Sequence, residues 1–303
     1  KNTAIIERLC RERSWPLLNP PAALAASIEE KITQLEFLPE LRHHFPAYSV
    51  ARCQDIVWSG TPFIIQFNHS HTGSGTALIE SETALRLIQK KFPLRPARAA
   101  RFIDGPLFTN NNIVTPRDTL VGNISYQITG LPPFTSRPFA TIGNDWGVVG
   151  SLLHPTQIES YREMARTVGE ALAKRGWRGL FGIDVILEQA TGQLFLLEIN
   201  ARQAASAAYE SLLQRQARER ANVPGLTVME AHRMSFFETD REIPDLISIT
   251  AGAQIIYRNQ SHGAPSKDFL VHAQEQLRRQ DCRVIVYENT NAESDLIRIQ
   301  HKA

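Results

Sequence analysis

Residues 178–200 constrain this chain more than any other stretch. Two apolar runs, RGLFGIDVIL at 178–187 and QLFLLEIN at 193–200, flank the turn segment EQATGQ. Runs of this length and β-branched content, separated by a Gly-containing turn, predict a β-hairpin. Each run carries a single acid, Asp184 in the first and Glu198 in the second. If the hairpin is centred on Thr191, positions 184 and 198 lie opposite each other, each seven residues from the centre. Alternation along the second strand is then expected to place Leu196, Glu198 and Asn200 on one face.

Like charges directly across two strands are destabilising, and in apolar surroundings both carboxylates stay ionised only if a cation lies between them. Mg2+ meets that need: it takes hard oxygen ligands and leaves positions for substrate phosphates. Asp184, Glu198 and the Asn200 carbonyl oxygen are the candidate metal ligands. Arg202, two residues on, offers a guanidinium fork to a phosphate oxygen. The bland alternative is a surface hairpin whose acids face water. The apolar context argues against it, because isolated charges in such runs are costly.

The series Glu198-x-Asn200-x-Arg202, with Asp184 on the preceding strand, resembles the metal-binding end of ATP-grasp enzymes. The phrase GLFGIDVILEQATGQLFLLEINAR is similar to the biotin carboxylase and carbamoyl-phosphate synthetase branch of that superfamily. The resemblance implies an α+β fold of two lobes clasping a nucleotide, with ATP and one or two Mg2+ ions as cofactors. Glu198 would bridge two ions, with Asp184 holding one and Asn200 the other, and Arg202 would act catalytically on the transferring phosphoryl group. The implied reaction is carboxylate–amine ligation through an acylphosphate. Alternatives are a bicarbonate-phosphorylating enzyme of the carboxylase or carbamoyl-phosphate type and a non-catalytic nucleotide-binding regulatory module.

The nucleotide side is read from three further segments. PFIIQF at 62–67 predicts a strand, and ALIESETALRLIQKKF has helical periodicity. Between them lies NHSHTGSGT, whose glycines would let backbone N–H groups approach a phosphate at a helix N-terminus. It lacks the Gly-Lys-Ser/Thr of a Walker A motif, but resembles the phosphate-covering loop of the ATP-grasp lid. That implies nucleotide contacts from His69, His71, Thr72, Gly73, Ser74 and Gly75. Many members carry a lysine on the preceding strand where this chain has Gln66, so Gln66→Lys is expected to tighten ATP binding. A second family lysine matches Lys31 in IEEKITQ, which reads equally as an exposed helical lysine. ARFIDG resembles the hinge strand whose backbone reads the adenine edge, through Arg101, Phe102 and Ile103. Asp104 is either a ribose ligand or a turn residue before Gly105-Pro106.

The chain has 303 residues, of which 43% are hydrophobic, enough to bury a large core without staples. Its 33 basic and 31 acidic residues give +2, which supplies no electrostatic case for nucleic acid as a partner. The three cysteines, Cys10, Cys53 and Cys282, are far apart and lack CxxC spacing, which suits a reducing, cytoplasmic home. No apolar run is long enough to cross a bilayer. Expected partners are a small carboxylate and an amine, with a homodimer in keeping with the resemblance. The resemblance also implies a division into a helical segment (1–50), a lid lobe (51–105) and a metal-bearing lobe (106–303). The Rossmann-like domain that usually precedes the lid is expected to be absent or truncated. One helix is expected across residues 22–45, and others at 157–175, 204–218 and 225–237.

Overall fold

The computed structural model describes residues 2–68, 75–237, 243–260 and 266–301. It opens with α1 (Ala4–Glu12), capped by Thr3, whose hydroxyl accepts from the Ile6 N–H. Next come α2 (Ala22–Glu29), α3 (Gln34–Phe37) and a 3-10 turn over Pro39–His44. The single helix expected across 22–45 is therefore interrupted. Glu30 takes an extended conformation, Gln34 Nε2 satisfies the freed Ile28 carbonyl, and Leu38, which precedes Pro39, leaves the α-helical region. Lys31 consequently sits in a turn and is buried, not displayed on a helix surface.

Four antiparallel strands form the first sheet: β1 (Tyr48–Arg52), β2 (Phe63–Gln66), β3 (Thr76–Ile79) and β4 (Pro96–Arg101), in the order β1-β4-β2-β3. α4 (Glu82–Lys91) packs beneath them, and Ile65, Ile79, Leu85 and Ala97 share its core. The helical reading from residue 77 is corrected here. Thr76–Ile79 pairs with Phe63–Gln66 as the return strand of a hairpin, and the helix begins only after Ser81, whose hydroxyl accepts from the Ala84 N–H at 3.2 Å. The loop after β2 thus joins two strands, and no helix N-terminus follows it.

The second sheet contains β5 (Leu107–Val114), β6 (Thr119–Leu120), β7 (Ser125–Thr129), β8 (Thr141–Asp145), β9 (Gly179–Leu187), β10 (Leu194–Asn200), β11 (Ala253–Arg258), β12 (Cys282–Val286) and β13 (Asp295–His301). Its order is β10-β9-β5-β7-β8-β11-β13-β12, with β6 on β5. The helices of this part are α5 (Val149–Leu152), α6 (Pro155–Ala173), α7 (Ala207–Ala221), α8 (Val228–Phe237) and α9 (Lys267–Arg279). Tyr161, Val168 and Leu172 of α6 meet Phe181, Ile183 and Leu196 of the sheet, and Ile28, Leu35 and Leu41 from the N-terminal helices join the same core. Each such side chain is fully buried, worth roughly 1.5–3 kcal/mol for a Leu or Ile. The fold is α+β, as the mixed order of elements predicts.

Candidate active site

The β9–β10 hairpin places Asp184 opposite Glu198 and Gly182 opposite Asn200. A register shift between Leu196 and Glu198 makes Leu197 an extra residue on β10. Leu196 therefore faces the α6 core, fully buried, and not the acid face as strict alternation implied. Leu197 and Glu198 both line a cleft of about 750 Å³ between the two sheets. The bulge thus aims the acid into the cleft while the core stays apolar.

Asp184 is enclosed, with Glu198 on one flank and Thr109 of β5 on the other. Burial, then the neighbouring Glu198 charge, pushes its pKa up to about 6, against hydrogen bonds from Thr109 and Asn200 and the charge of Arg202. Its Oδ1 is buried without a hydrogen-bond partner. An orphaned carboxylate oxygen beside a second carboxylate and an amide oxygen is a donor set that fits Mg2+. Among the described residues no trio of His, Cys, Asp or Glu gathers as a metal cluster; two carboxylates suffice where phosphates supply the remaining ligands.

Three cations surround the acids. Lys31 Nζ lies 3.0 Å from Glu198 Oε2. Arg202 Nη1 donates to Asn200 Oδ1 at 2.6 Å, and its Nε is 3.5 Å from Glu29 Oε1. Arg98, on β4, is the residue that sequence reasoning missed. It pairs in register with Gln66, and its Nε and Nη2 donate to Gln66 Oε1 at 3.0 and 2.6 Å. Nη2 also reaches the Leu197 carbonyl at 3.4 Å, and the guanidinium lies 5.6 Å from the Phe45 ring centroid. Nη1 is buried with no partner. Burial lowers the Arg98 pKa to about 10, with Glu198 pulling the other way, so it stays charged at neutral pH. Arg98 thus sets a positive charge directly beside Gln66. A lysine at 66 would stand against Arg98, so the expected gain from Gln66→Lys is withdrawn. One arginine in PARAAR carries no signal until β2 and β4 pair.

Arg101, Phe102, Ile103 and Asp104 line the same cleft. Ile103, Ile186 and Phe195 form an apolar cluster with Leu107 and Leu197. Arg101 stacks 5.0 Å over Phe195 and bonds Glu188, which pins the end of β4 to the second sheet. The Asp104 carbonyl accepts from the Gln189 N–H at 3.1 Å. Gly75 does not line the cleft; its carbonyl closes the hairpin with the Phe67 N–H at 3.0 Å. His69, His71, Thr72, Gly73 and Ser74 lie outside the described residues.

The sequence matches no family model and no curated protein. Solved structures do match. N5-carboxyaminoimidazole synthase from Aspergillus clavatus, in complex with ADP and 5-aminoimidazole ribonucleotide, aligns with a TM-score of 0.70 at 14% identity, over 99% of this chain and 75% of that one. L-amino acid ligase from Bacillus licheniformis aligns at 0.69 and 15%, over 97% and 71%. N5-carboxyaminoimidazole ribonucleotide synthetase from Thermotoga maritima aligns at 0.66 and 14%, over 96% and 71%. These neighbours do not single out the biotin carboxylase and carbamoyl-phosphate synthetase branch. Two antiparallel sheets closing on a cleft, matched across nearly the whole chain, give this protein the ATP-grasp fold.

Proposed function

We propose that the chain is a Mg-ATP-dependent ligase that activates a carboxylate as an acylphosphate for attack by an amine. The observation that carries this is the half-buried Asp184–Glu198 pair facing the cleft, with an orphaned Asp184 oxygen, ringed by Lys31, Arg98 and Arg202. Asp184, Glu198 and Asn200 would hold one or two Mg2+ ions, which neutralise phosphate charge when bound. The adenine would lie on the Ile186 and Leu197 side of the cleft, its edge read by the backbone of residues 101–103. Arg98 and Lys31 would anchor phosphate oxygens, and Arg202 would steady charge on the transferring phosphoryl group. The loop residues His69, His71, Thr72, Gly73 and Ser74 remain candidates for covering the phosphates. Positioning and charge neutralisation do this work without a side-chain nucleophile.

The neighbours support the reading: one is bound to ADP and an amine-bearing ribonucleotide, and another is named an amino acid ligase. The strands at 48–101 and 107–301 form separate sheets, which supports a lid over 51–105 and a metal lobe over 106–303, behind the helical segment 1–50. A cytoplasmic location and a homodimer belong to the same proposal. The described residues contain no helix long and apolar enough to cross a membrane.

The test is phosphate release from Mg-ATP with a panel of amino acids, other amines and bicarbonate. Release that needs both an acid and an amine is the expected result. Release with bicarbonate and no other acid would favour the bicarbonate-phosphorylating alternative. Wild-type turnover in Glu198→Gln would refute the metal assignment.

A further inference from the structure

Lys31 stands on a turn that belongs to neither sheet. Residues 30–33 join α2 to α3. Two bonds fold the turn on itself: the Gln34 N–H donates to the Glu30 carbonyl at 2.8 Å, and Thr33 Oγ1 to Glu30 Oε2 at 2.9 Å. The Ile32 N–H points outward and donates to Asn68 Oδ1 at 2.9 Å. Ile32 is buried, so loss of that acceptor would strand a backbone donor away from water. Its neighbour Lys31 reaches Glu198 from the same turn.

Asn68 is itself braced. It lies two residues past β2, and its carbonyl accepts from Arg95 Nη2 at 3.1 Å. The Arg95 guanidinium lies 4.4 Å from the Phe67 ring centroid and 5.4 Å from that of Phe92. The two rings meet edge to face at 5.4 Å. Phe67 is buried in the core of the first sheet. Ile28 and Leu35, on either side of the Lys31 turn, are buried instead with α6 and the second sheet. The Asn68–Ile32 bond therefore joins two separate cores.

The end of β2 makes a second crossing. Gln66 accepts from Arg98, whose Nη2 reaches the Leu197 carbonyl. Both crossings arrive at the β10 bulge, one at Leu197 and the other, through Lys31, at Glu198. The Lys31 side chain is only 10% exposed. An ammonium moved off its partner there meets apolar surroundings, which is costly. The place of the turn thus sets the place of the charge.

We infer that Asn68 is a positioning residue that holds the Lys31 turn, so that the ammonium stands at Glu198 where nucleotide phosphates would arrive. Its effect on nucleotide binding rests on the ligase proposal; its hold on the turn does not.

Two measurements on the whole chain test this. The first is hydrogen exchange of the Ile32 amide without ligand. Asn68→Ala should speed exchange about fivefold, the scale of one lost hydrogen bond. Asn68→Asp, which keeps the acceptor oxygen, should restore slow exchange. The second is Mg·AMPPNP affinity by calorimetry in a double-mutant cycle. Asn68→Ala should weaken binding about fivefold and Lys31→Met about tenfold. The double variant should be no weaker than Lys31→Met alone, because Asn68 acts through that lysine. Equal losses from Asn68→Ala with and without Lys31 would overturn the inference, since Asn68 would then act on the nucleotide directly. Unchanged Ile32 exchange in Asn68→Ala would overturn it as well. A wild type that binds no AMPPNP would remove the ligase reading, and the exchange result with its Asn68→Asp rescue would still decide whether Asn68 holds the turn.

Discussion

Asp184 and Glu198 face each other on neighbouring strands, and the same-sign neighbour adds to burial in raising the Asp184 pKa to about 6. Removing that neighbour's charge in Glu198→Gln should lower the Asp184 pKa, and it frees Lys31 from its 3.0 Å partner. The variant should keep its fold, melting within a few degrees of wild type, while kcat for phosphate release falls by roughly a hundredfold or more, the usual scale for losing a group that stabilises transition-state charge. Arg98→Met should weaken Mg·AMPPNP binding about tenfold, because a charge-assisted phosphate contact contributes roughly 1.5–3 kcal/mol. Arg98→Lys should restore part of it. Calorimetry on both variants checks this, and wild-type affinity in Arg98→Met would remove Arg98 from the phosphate site. At this scale the facing of Asp184 and Glu198 was legible because both lie within one hairpin, where register follows from counting. Arg98 was not, since its meaning depends on Gln66, 32 residues away on another strand.

The elements most easily misread were those whose partner is distant in sequence. TALI at 76–79 continues smoothly into a helical pattern, and nothing local shows that β2 returns through it. Ser81 marks the true helix start, with extended backbone and a hydroxyl accepting from Ala84. Ser81→Ala should therefore cost about 1 kcal/mol of stability, read from urea denaturation, with phosphate release unchanged because Ser81 does not line the cleft. A change in turnover without loss of stability would show that the cap has a role beyond holding α4. β8 was hidden for another reason: TIGND has only one strongly apolar residue, so its sequence carries little strand signal, yet it pairs with β7 and β11. By contrast α6, α7 and the β9–β10 hairpin were legible because amphipathic spacing or continuous apolarity over many residues leaves few alternatives.

At the scale of the whole molecule, one buried acid joins parts that sequence leaves unconnected. Glu210 on α7 is fully buried. It accepts from Asn111 of β5 at 2.7 Å and from the Asn123 backbone and side-chain N–H groups at 3.1 Å. Asn123 in turn donates to the Ile247 carbonyl, and Asn111 to Ser206 at the cleft edge. Burial raises the Glu210 pKa to about 7 even against these hydrogen bonds. Its folded pKa stands above the ordinary value of 4.5. The native state therefore holds the extra proton between those two limits. The associated stability is complete below about pH 4.5 and is lost as pH rises through 7. His44 and His232, pushed down by burial, act in the opposite sense below their ordinary value of 6.5, so the net profile mixes both. Comparing wild type with Glu210→Gln isolates the acid, because pH-independent changes in hydrogen bonding cancel between two pH values. Relative to wild type, Glu210→Gln should gain on the order of 2–3 kcal/mol between pH 5 and pH 8, measured by urea denaturation at each pH. A difference that does not change with pH would mean that Glu210 titrates normally and that α7 is not fastened to β5 through a reluctant carboxylate.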